Sequence, residues 1–413
     1  MASERQFSLS EASALFKIKY EKLSENVYNS ANVLLGRCKK SYSFTGKQLS
    51  IAIPQSFSGG VGSGSLPKAN TAIYSDAQIT AKKMYAVVEL DRETIKAAMS
   101  DEGSFVRATK EVVKKGVESF MRNLSRTLFN DGTGEIGEGD NTTDVSGDGS
   151  ASTPYVVTLA AASFKESNLE ERDLVNIGSE TTTLEIDEVD PDNKTVKLKG
   201  TSATLATAVG QSAGSRETNA KIYMQGSKDN DPQGLKGICD ATSGTKYNIS
   251  VARRWKSQQK AAGGSAISTD LLNEMMLKVE KASGKSPNLI VTSFKQYEKI
   301  LNLLEDQKRY EVKTRSGLKS KSGADISFSG VEFMSSSGPV GIFPERFCED
   351  DRVYFLNDNH IHIYHRPDFG WFDDDGTVFL RKSDSDAYEA RYGGYLETYI
   401  NPCFHGVLTG LST

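Results

Sequence analysis

The last thirty residues of the chain, Asp384 to Thr413, restrict its fold more than any other segment. They read DSDAYEARYGGYLETYINPCFHGVLTGLST. Chain ends are usually polar and frayed, whereas this one is aromatic and aliphatic, so we expect it to pack into a core or against a neighbouring subunit. The alternation over residues 388–392 predicts a strand with one buried face. Gly393-Gly394 predicts an interruption of that strand, and Asn401-Pro402 predicts a turn.

Composition excludes several classes of protein. In 413 residues, 50 Lys and Arg nearly balance 54 Asp and Glu, for a net charge of -4. Tight binding to naked nucleic acid usually requires a strong basic excess, which is missing here. The beginning of the chain has no signal peptide, and no apolar run approaches the ~20 residues that span a bilayer. Four widely separated cysteines predict neither a zinc site nor a disulfide framework. We expect a soluble protein made in a cytoplasm.

Three patterns organise the first third of the chain. Residues 8–37 have apolar positions at helical spacing. They predict a helical arm whose apolar face packs against another part of the assembly, because the arm has no core of its own. Residues 46–90 predict a long β-hairpin, whose return arm includes Ile79, Tyr85, Val87 and Leu90 and whose tip is rich in glycine. A two-stranded hairpin is marginal alone in water, so a partner surface should stabilise it. Residues 101–130 predict a helix ~40 Å long.

The remaining residues predict a β-rich insertion followed by a mixed α/β region. Residues 133–153 are a predicted linker, and short strands at regular spacing follow it, with a hairpin turn at 190–194. From residue 265 the pattern alternates between helix and strand. The predicted strands of the insertion are 156–159, 174–177, 182–186, 196–198 and 222–224; the later ones are 288–292, 331–334, 340–343, 353–356, 361–364 and 378–380.

This order of elements resembles the major capsid proteins of tailed bacteriophages, of the Hong Kong 97-like family. The end of the chain carries the resemblance, because in that family a late strand crosses the central domain and a short Asn-Pro turn follows. The resemblance implies an α+β phage major capsid fold with six parts. These are an N-terminal arm (1–45), an extended β-hairpin loop (46–90), a spine helix of the peripheral domain (91–132), a linker and inserted β domain (133–245), an axial domain (246–350) and late strands that return to both domains (351–413).

By resemblance, the chain self-assembles into the icosahedral head that encloses the double-stranded DNA of a tailed phage. In that family the hairpin reaches over a neighbouring subunit and the axial domain surrounds the symmetry axis of a hexamer or pentamer. The implied partners are a portal, a separate scaffolding protein and a decoration protein, with DNA enclosed without sequence-specific binding. We expect a separate scaffold because only ~45 residues precede the hairpin. The implied location is the virion, after synthesis in the bacterial cytoplasm.

Two glycine motifs resemble catalytic or nucleotide-binding signatures. Gly210-Gln-Ser212-Ala-Gly214 matches the G-x-S-x-G nucleophile elbow, but the polar residues after it do not form the apolar face of the helix that this turn requires. We interpret it as an exposed loop. Gly132-Thr-Gly134-Glu-Ile-Gly137 matches G-x-G-x-x-G, yet it follows a predicted helix instead of a strand. We interpret it as a helix stop and a linker.

Three charged or metal-binding patterns also have simpler interpretations. His360, His362 and His365 could ligate zinc or copper, but solvent-facing histidines alternating with buried Ile361 and Ile363 fit better, with a possible response to pH near neutrality. Asp373-Asp-Asp-Gly376 lacks the ligand spacing of a calcium loop and predicts a turn. The basic stretch from Lys308 to Lys321 has only Tyr310 for stacking on bases, so we expect it to meet an acidic patch such as Glu349-Asp-Asp351 on a neighbour.

The sequence therefore predicts no catalytic, cofactor-binding or metal-binding residues, no cofactor and no enzymatic activity. Three alternatives stay open. An encapsulin-like nanocompartment shell shares the fold, but the β insertion and the lack of a recognisable cargo pocket count against it. A serine hydrolase using Ser212 is a different class. A β-rich tail or adhesion protein is the third, and the long helix argues against it.

Overall fold

The computed structural model describes residues 32–41, 44, 46, 48–56, 73–91, 102–140, 145–160, 163–178, 183–200, 221–252, 254–306, 318–319, 325–326, 331–335, 338–372, 378, 380–383 and 385–413. The helices in these ranges are α1 (Val33–Arg37), α2 (Glu102–Phe129), α3 (Leu235–Cys239), α4 (Thr269–Ser283) and α5 (Phe294–Asp306). Strands of the first third are β1 (Lys39–Ser41), β2 (Gln48–Ser56), β3 (Ile73–Thr80) and β4 (Lys82–Asp91). Those of the insertion are β5 (Glu135–Glu138), β6 (Tyr155–Thr158), β7 (Leu174–Ile177), β8 (Leu184–Asp190), β9 (Thr195–Lys199) and β10 (Lys221–Met224). The later strands are β11 (Thr245–Lys246), β12 (Ile249–Ser250), β13 (Gln258–Ala261), β14 (Leu289–Thr292), β15 (Leu318–Lys319), β16 (Asp325–Ile326), β17 (Val331–Ser335), β18 (Gly338–Pro344), β19 (Val353–Leu356), β20 (Ile361–Trp371), β21 (Leu380–Arg381), β22 (Ala387–Ile400) and β23 (Gly406–Thr409).

The long helix α2 packs on one sheet, which we name the spine sheet. The sheet has the order β4, β22, β20, β1, with β21 beside the start of β22. Helix α2 has the predicted apolar stripe, and its Val117, Phe120, Leu124 and Leu128 side chains are buried. The Phe120 ring lies edge-on against Tyr392, with centroids 5.3 Å apart. The chain's aromatic end is therefore packed into a core, as its sequence predicts.

Strand β22 crosses the spine sheet without a break, so the interruption predicted at Gly393-Gly394 is wrong. Both glycines pair with β4, and Gly393 lies opposite Tyr85. A Cβ atom on Gly393 would overlap the carbonyl oxygen of Met84 and the Cα of Tyr85. The glycine therefore permits two backbones to approach closely within the strand and does not end it.

The predicted hairpin of residues 46–90 is shorter in the structure. Strands β2 and β3 pair antiparallel, from Gln48 opposite Thr80 to Ser56 opposite Ile73. The chain then passes Ala81, and β4 leaves the hairpin to pair with β22. The predicted return arm is therefore two strands with different partners. Alternation along a strand does not reveal which strand pairs with it.

The insertion forms an antiparallel six-stranded sheet of order β5, β10, β7, β8, β9, β6 around its own core. The predicted strands are present, and the Asp190 carboxylate accepts hydrogen bonds from the amides of Asp192 and Asn193 in the predicted turn. The predicted linker 133–153 is partly wrong, because β5 lies inside it and pairs with β10. Ile136, a lone apolar residue in a polar, glycine-rich stretch, is buried in this core.

The third sheet, which we name the mixed sheet, has the order β13, β23, β19, β14, β18, β17. Strand β14 runs parallel to β18 and antiparallel to β19, and its four residues are all buried. Helix α4 begins where the Ser268 hydroxyl accepts from the amide of Leu271 and ends at Gly284 with φ 70°. The end of the chain contributes the strand β23, so residues 406–409 complete a sheet begun 150 positions earlier.

The described residues confirm an α+β fold with a hairpin, a spine helix, an inserted β sheet, a mixed α/β region and returning late strands. Most of the predicted arm (residues 1–31) and the hairpin tip (residues 57–72) lie outside the described residues. The described part of the arm comprises α1 and β1, and β1 pairs parallel with β20, Lys39 lying opposite His362.

We expect Gly393→Ala to lower the free energy of unfolding by about 1–3 kcal/mol, because the added methyl overlaps the backbone of β4. Gly46→Ala is the matched control, since a Cβ there meets no atom within 4 Å. Its effect should stay within about 0.5 kcal/mol. Denaturant unfolding of unassembled subunits measures both. Equal stability of the two variants would contradict the close-approach role of Gly393.

Candidate assembly surfaces

The base of the β2–β3 hairpin is anchored to the body of the subunit. Ala77 and Ile79 of β3 are buried in a cluster with Trp255 and Tyr399. The amide of Gln78 also donates a 2.9 Å hydrogen bond to the carbonyl of Tyr247. This end of the hairpin therefore has a core to pack against.

The far half of the hairpin has no such cover within the described residues. Ile73 is 58% exposed and Tyr74 is 59% exposed. These side chains follow directly after the tip segment of residues 57–72. An isolated two-stranded ribbon with exposed apolar residues is only marginally stable in water. The far half of the hairpin thus carries exposed apolar surface.

The outer face of the spine sheet is the second apolar surface. Tyr85 and Val87 of β4 and Tyr395 of β22 are exposed on this face, while the opposite face packs on α2. Tyr85 lies opposite Gly393, which has no side chain, and Lys83 lies opposite Tyr395. The two tyrosines are therefore diagonal neighbours across the strand pair. The sequence analysis placed Tyr85 and Val87 in the hairpin and did not single out Tyr395.

A third group of exposed apolar residues belongs to the mixed sheet and its helices. The group consists of Leu277 on α4, Phe294 and Leu301 on α5, and Met334 on β17. In the part of the chain that the structure describes, one large exposed hydrophobic residue, Leu174, lies on the insertion. Apolar exposure concentrated on a few surfaces is typical of protein–protein contacts.

An ionic cluster attaches the insertion to the rest of the subunit. The Glu349 carboxylate lies 2.9 Å from the ammonium groups of both Lys165 and Lys236, and it also pairs with Arg352. Lys165 belongs to the insertion and Lys236 to α3. Burial alone would raise the pKa of Glu349, but Lys165, Arg352 and Lys236 outweigh it and lower the pKa to about 2. The carboxylate therefore stays ionised within a group of cations.

A second ionic contact links the insertion to the spine helix. Arg122 of α2 lies 3.1 Å from the carboxylate of Asp173 and also pairs with Glu170. Next to it, Arg126 is buried and pairs with Asp231 at 3.3 Å. Burial lowers the pKa of Arg126 in spite of Asp231. These contacts hold the insertion beside α2 through charges instead of a shared apolar core.

Glu349 thus already has partners within its own chain, and the expected contact of the basic loop with an acidic patch such as 349–351 on a neighbour stays a prediction. The carboxylate is 9% exposed and already engaged by three cations of its own chain. Most of the basic stretch 308–321 lies outside the described residues, although Lys319 stands in β15 opposite Asp325 of β16. Asp351 likewise pairs with Arg352.

The histidine cluster is only partly as predicted. Ile361 and Ile363 face the core as expected, and the His360 ring stacks on Phe404 with centroids 3.7 Å apart. His365, however, is buried and stacks on Phe369, so it is not a solvent-facing residue. Among the described residues, no group of three or more His, Cys, Asp or Glu side chains is arranged to hold a metal ion.

The surroundings of His360 and His362 lower the pKa of both imidazoles, which does not favour the expected response to pH near neutrality. Burial and then the nearby Lys285 lower the pKa of His360 to about 4, and burial with Lys39 lowers that of His362. The fourth histidine, His405, was not singled out in the sequence. It is fully buried, its Nδ1 accepts from the amide of Asn357, and burial lowers its pKa to about 3. His360 and His405 are therefore neutral at pH 7.

The remaining motifs supply no site. Gly132 and Gly134 have φ near 80° and follow the end of α2, which confirms the helix stop. Ser212 and Asp373–Gly376 lie outside the described residues. All four cysteines are free, and Cys38, Cys239 and Cys348 are buried. None of the described helices combines the length and apolar character needed to cross a membrane.

We expect Glu349→Gln to destabilise the subunit by about 1.5–3 kcal/mol, because it removes the carboxylate charge that Lys165 and Lys236 share, while Arg352 keeps its pairs with Asp240 and Asp351. The matched control is Glu188→Gln, which removes an exposed pair with Lys197 and should cost less than about 1 kcal/mol. Because the pKa of Glu349 is depressed, its contribution is present above its ordinary pKa of 4.5 and is lost as pH falls toward about 2. Denaturant unfolding at pH 7 and pH 3 measures both effects. If Glu349→Gln lowers the free energy of unfolding no more than the control does, the cluster does not hold the insertion.

Several solved structures are similar to this chain at low sequence identity. A search of curated proteins gives no match. Among solved structures, the chain is similar to a cyanophage A-1(L) capsid chain (12% identity, 91% of each chain covered, TM-score 0.46) and to a Mycobacterium phage Bobi chain (9%, 98% of each, 0.40). It is also similar to a virus-like particle from Pyrococcus furiosus (10% identity, 95% of this chain and 100% of that chain, TM-score 0.41). We draw no argument from likenesses as distant as these.

A family comparison bears directly on the expected identity. Residues 213–378, which include α4, β14, α5 and β17 to β20, match the model of the family described as SU10 major capsid protein. The match covers less than half of the chain and begins within the segment that precedes β10. It favours a capsid shell over a nanocompartment or a hydrolase. Residues 213–378 are therefore similar to a family of phage major capsid proteins, in agreement with the resemblance seen in the order of elements.

Proposed function

We propose that the chain forms hexamers and pentamers that close into an icosahedral head around the double-stranded DNA of a tailed phage. The observation that carries this proposal is the β2–β3 hairpin, whose base is buried against the body of the subunit while Ile73 and Tyr74 in its far half are exposed. A neighbouring copy that covers this surface would bury apolar area worth about 25 cal/mol per Å². The function that we propose is therefore association between subunits and not catalysis.

The outer face of the spine sheet is the surface that we propose for the neighbour's hairpin. Tyr85 and Tyr395 are diagonal neighbours, and Val87 extends the same apolar strip along β4. Large, rigid aromatic side chains at the centre of a contact contribute most of its binding energy. Lys83 and Arg391 border the strip, as charged residues border many interfaces.

The mixed sheet and its helices form the proposed axial domain, residues 246–350. Exposed Leu277, Phe294, Leu301 and Met334 supply contacts around the symmetry axis of the hexamer or pentamer. The remaining proposed parts are the arm (1–45), the hairpin loop (46–90), the spine helix (91–132), the insertion (133–245) and the late strands (351–413). Late strands β19 and β23 complete the sheet of the axial domain.

The proposed role needs no catalytic group, cofactor or metal. The net charge of -4 suits a wall that encloses DNA without binding its sequence. We further propose that the protein is made in the bacterial cytoplasm and assembles there with a separate scaffolding protein and a portal. A decoration protein is a further proposed partner.

We expect Tyr74→Asp to raise the protein concentration needed for half-maximal assembly at least about tenfold, because it places a charge in the proposed hairpin contact. The purified protein, with scaffold co-expressed, is examined by negative-stain electron microscopy and by light scattering on the same sample. Wild-type protein should give closed shells or rings of five or six subunits.

The matched control is Leu174→Asp, which places the same charge at an exposed apolar residue of the insertion. It should assemble as the wild type does, and both variants should unfold at the wild-type temperature as free subunits. A wild-type protein that stays a small oligomer with scaffold present would overturn the proposed function. Normal assembly of Tyr74→Asp would overturn the role of the hairpin alone.

A further inference from the structure

The N-terminal arm is attached to the body of the subunit by a buried carboxylate. Glu345 follows directly after β18, and its side chain is 2% exposed. Its Oε1 accepts a 2.9 Å hydrogen bond from the amide of Leu34, and the amide of Val33 also donates to the carboxylate. Both amides belong to the first turn of α1. Leu34 stands 311 positions before Glu345 in the chain.

Glu345 takes the place of a local helix cap. The first amides of a helix have no partner within the helix and are usually satisfied by the side chain of the N-cap residue. Asn32 stands at that position in α1, but its side chain makes no capping hydrogen bond. The carboxylate from another part of the chain supplies the acceptor instead, so the helix and the body stabilise each other at this point.

No cation among the described residues forms an ion pair with Glu345. Arg37, at the other end of α1, pairs with Asp358 at 3.7 Å. The ionisable groups that interact with Glu345 are the buried thiols of Cys38, from the arm, and Cys348, from the loop after β18. Burial raises the pKa of Glu345 to about 7, although the hydrogen bonds from Leu34 and Val33 oppose this rise.

We propose that Glu345 is a proton-linked latch for the arm: the arm is docked firmly while this carboxyl is protonated, and its ionisation loosens α1 and β1 from the body. The protonated group keeps a carbonyl oxygen that accepts from Leu34, and it avoids burying a charge without a counter-ion. Strand β1 has three residues and lies at the edge of the spine sheet, so it contributes few hydrogen bonds of its own. The latch operates within one chain and does not depend on assembly of a shell.

The direction of the effect follows from the two states of the carboxyl. When the arm is docked, burial raises the pKa of Glu345 to about 7, and release would expose the carboxyl to water and return its pKa toward the ordinary value of 4.5. A pKa raised in the docked state means that docking takes up a proton. The stabilisation is complete below pH 4.5 and is lost as pH rises through about 7.

The test is amide hydrogen exchange of residues 33–38 on the full-length protein between pH 5 and pH 8, corrected for the intrinsic exchange rate at each pH. In the wild type, the opening equilibrium constant of these amides should increase roughly 50- to 100-fold from pH 5 to pH 8. Glu345→Gln keeps an oxygen acceptor without a charge. It should give the same constant at both pH values, close to that of the wild type at pH 5.

Glu397→Gln is the matched control. Glu397 is equally buried, accepts a 2.7 Å hydrogen bond from the amide of Gln233, and has a pKa that burial raises to about 7, but it accepts from residues outside the arm. Its replacement should leave the pH dependence of residues 33–38 unchanged. Wild-type protection that is constant across this pH range would overturn the latch, and so would a Glu345→Gln protein whose arm keeps the wild-type pH dependence. The pH dependence of exchange in the wild-type protein tests the latch even if a variant fails to fold.

Discussion

The fold depends on the pairing of one strand, β22, with partners on both sides. Ten residue pairs join it to β4, from Ala387 opposite Asp91 to Leu396 opposite Lys82, and β20 covers its other edge. The strand brings together residues that are about three hundred positions apart in the chain. Helix α2 packs against the face of the sheet so formed, and Tyr392 meets Phe120 there. Such long-range pairing has a large loop-closure cost, which the buried apolar contacts of α2 offset.

Buried carboxylates mark the places where separate parts of the subunit meet, and each is satisfied differently. Glu349 is surrounded by cations from the insertion, α3 and its own loop, so it stays ionised. Glu345 and Glu397 accept from backbone amides, and burial raises their pKa to about 7. The same residue type therefore gives a permanent charge at one junction and a proton-dependent one at the others. In this subunit the cations around Glu349 outweigh the effect of its burial, whereas the amides that donate to Glu345 and Glu397 do not.

We propose that the exposed apolar surfaces serve assembly, while the ionic junctions stabilise the subunit. Hairpin residues Ile73 and Tyr74, and Tyr85 and Tyr395 on the spine sheet, are exposed on the surface of the subunit. The insertion exposes one such residue, Leu174, among those described, and it is held by charged pairs with α2 and Glu349. A subunit of this kind can present neighbours with apolar contacts while its own parts stay joined through charges.

The sequence by itself determined the local elements: the stripe of α2, a helix that ends at Gly284, the turn at Asp190, and an apolar end that had to be buried. These follow from periodicity and capping, which neighbouring residues set. Only the tertiary structure decided that β4 leaves the hairpin for β22, that Gly393 continues a strand, and that Ile136 belongs to a sheet. It also decided the partners of the two carboxylates, backbone amides for Glu345 and cations for Glu349, since these partners lie up to 311 positions away. Strand alternation fixes which side chains share a face, but the partner and the burial of a charge depend on contacts between distant segments.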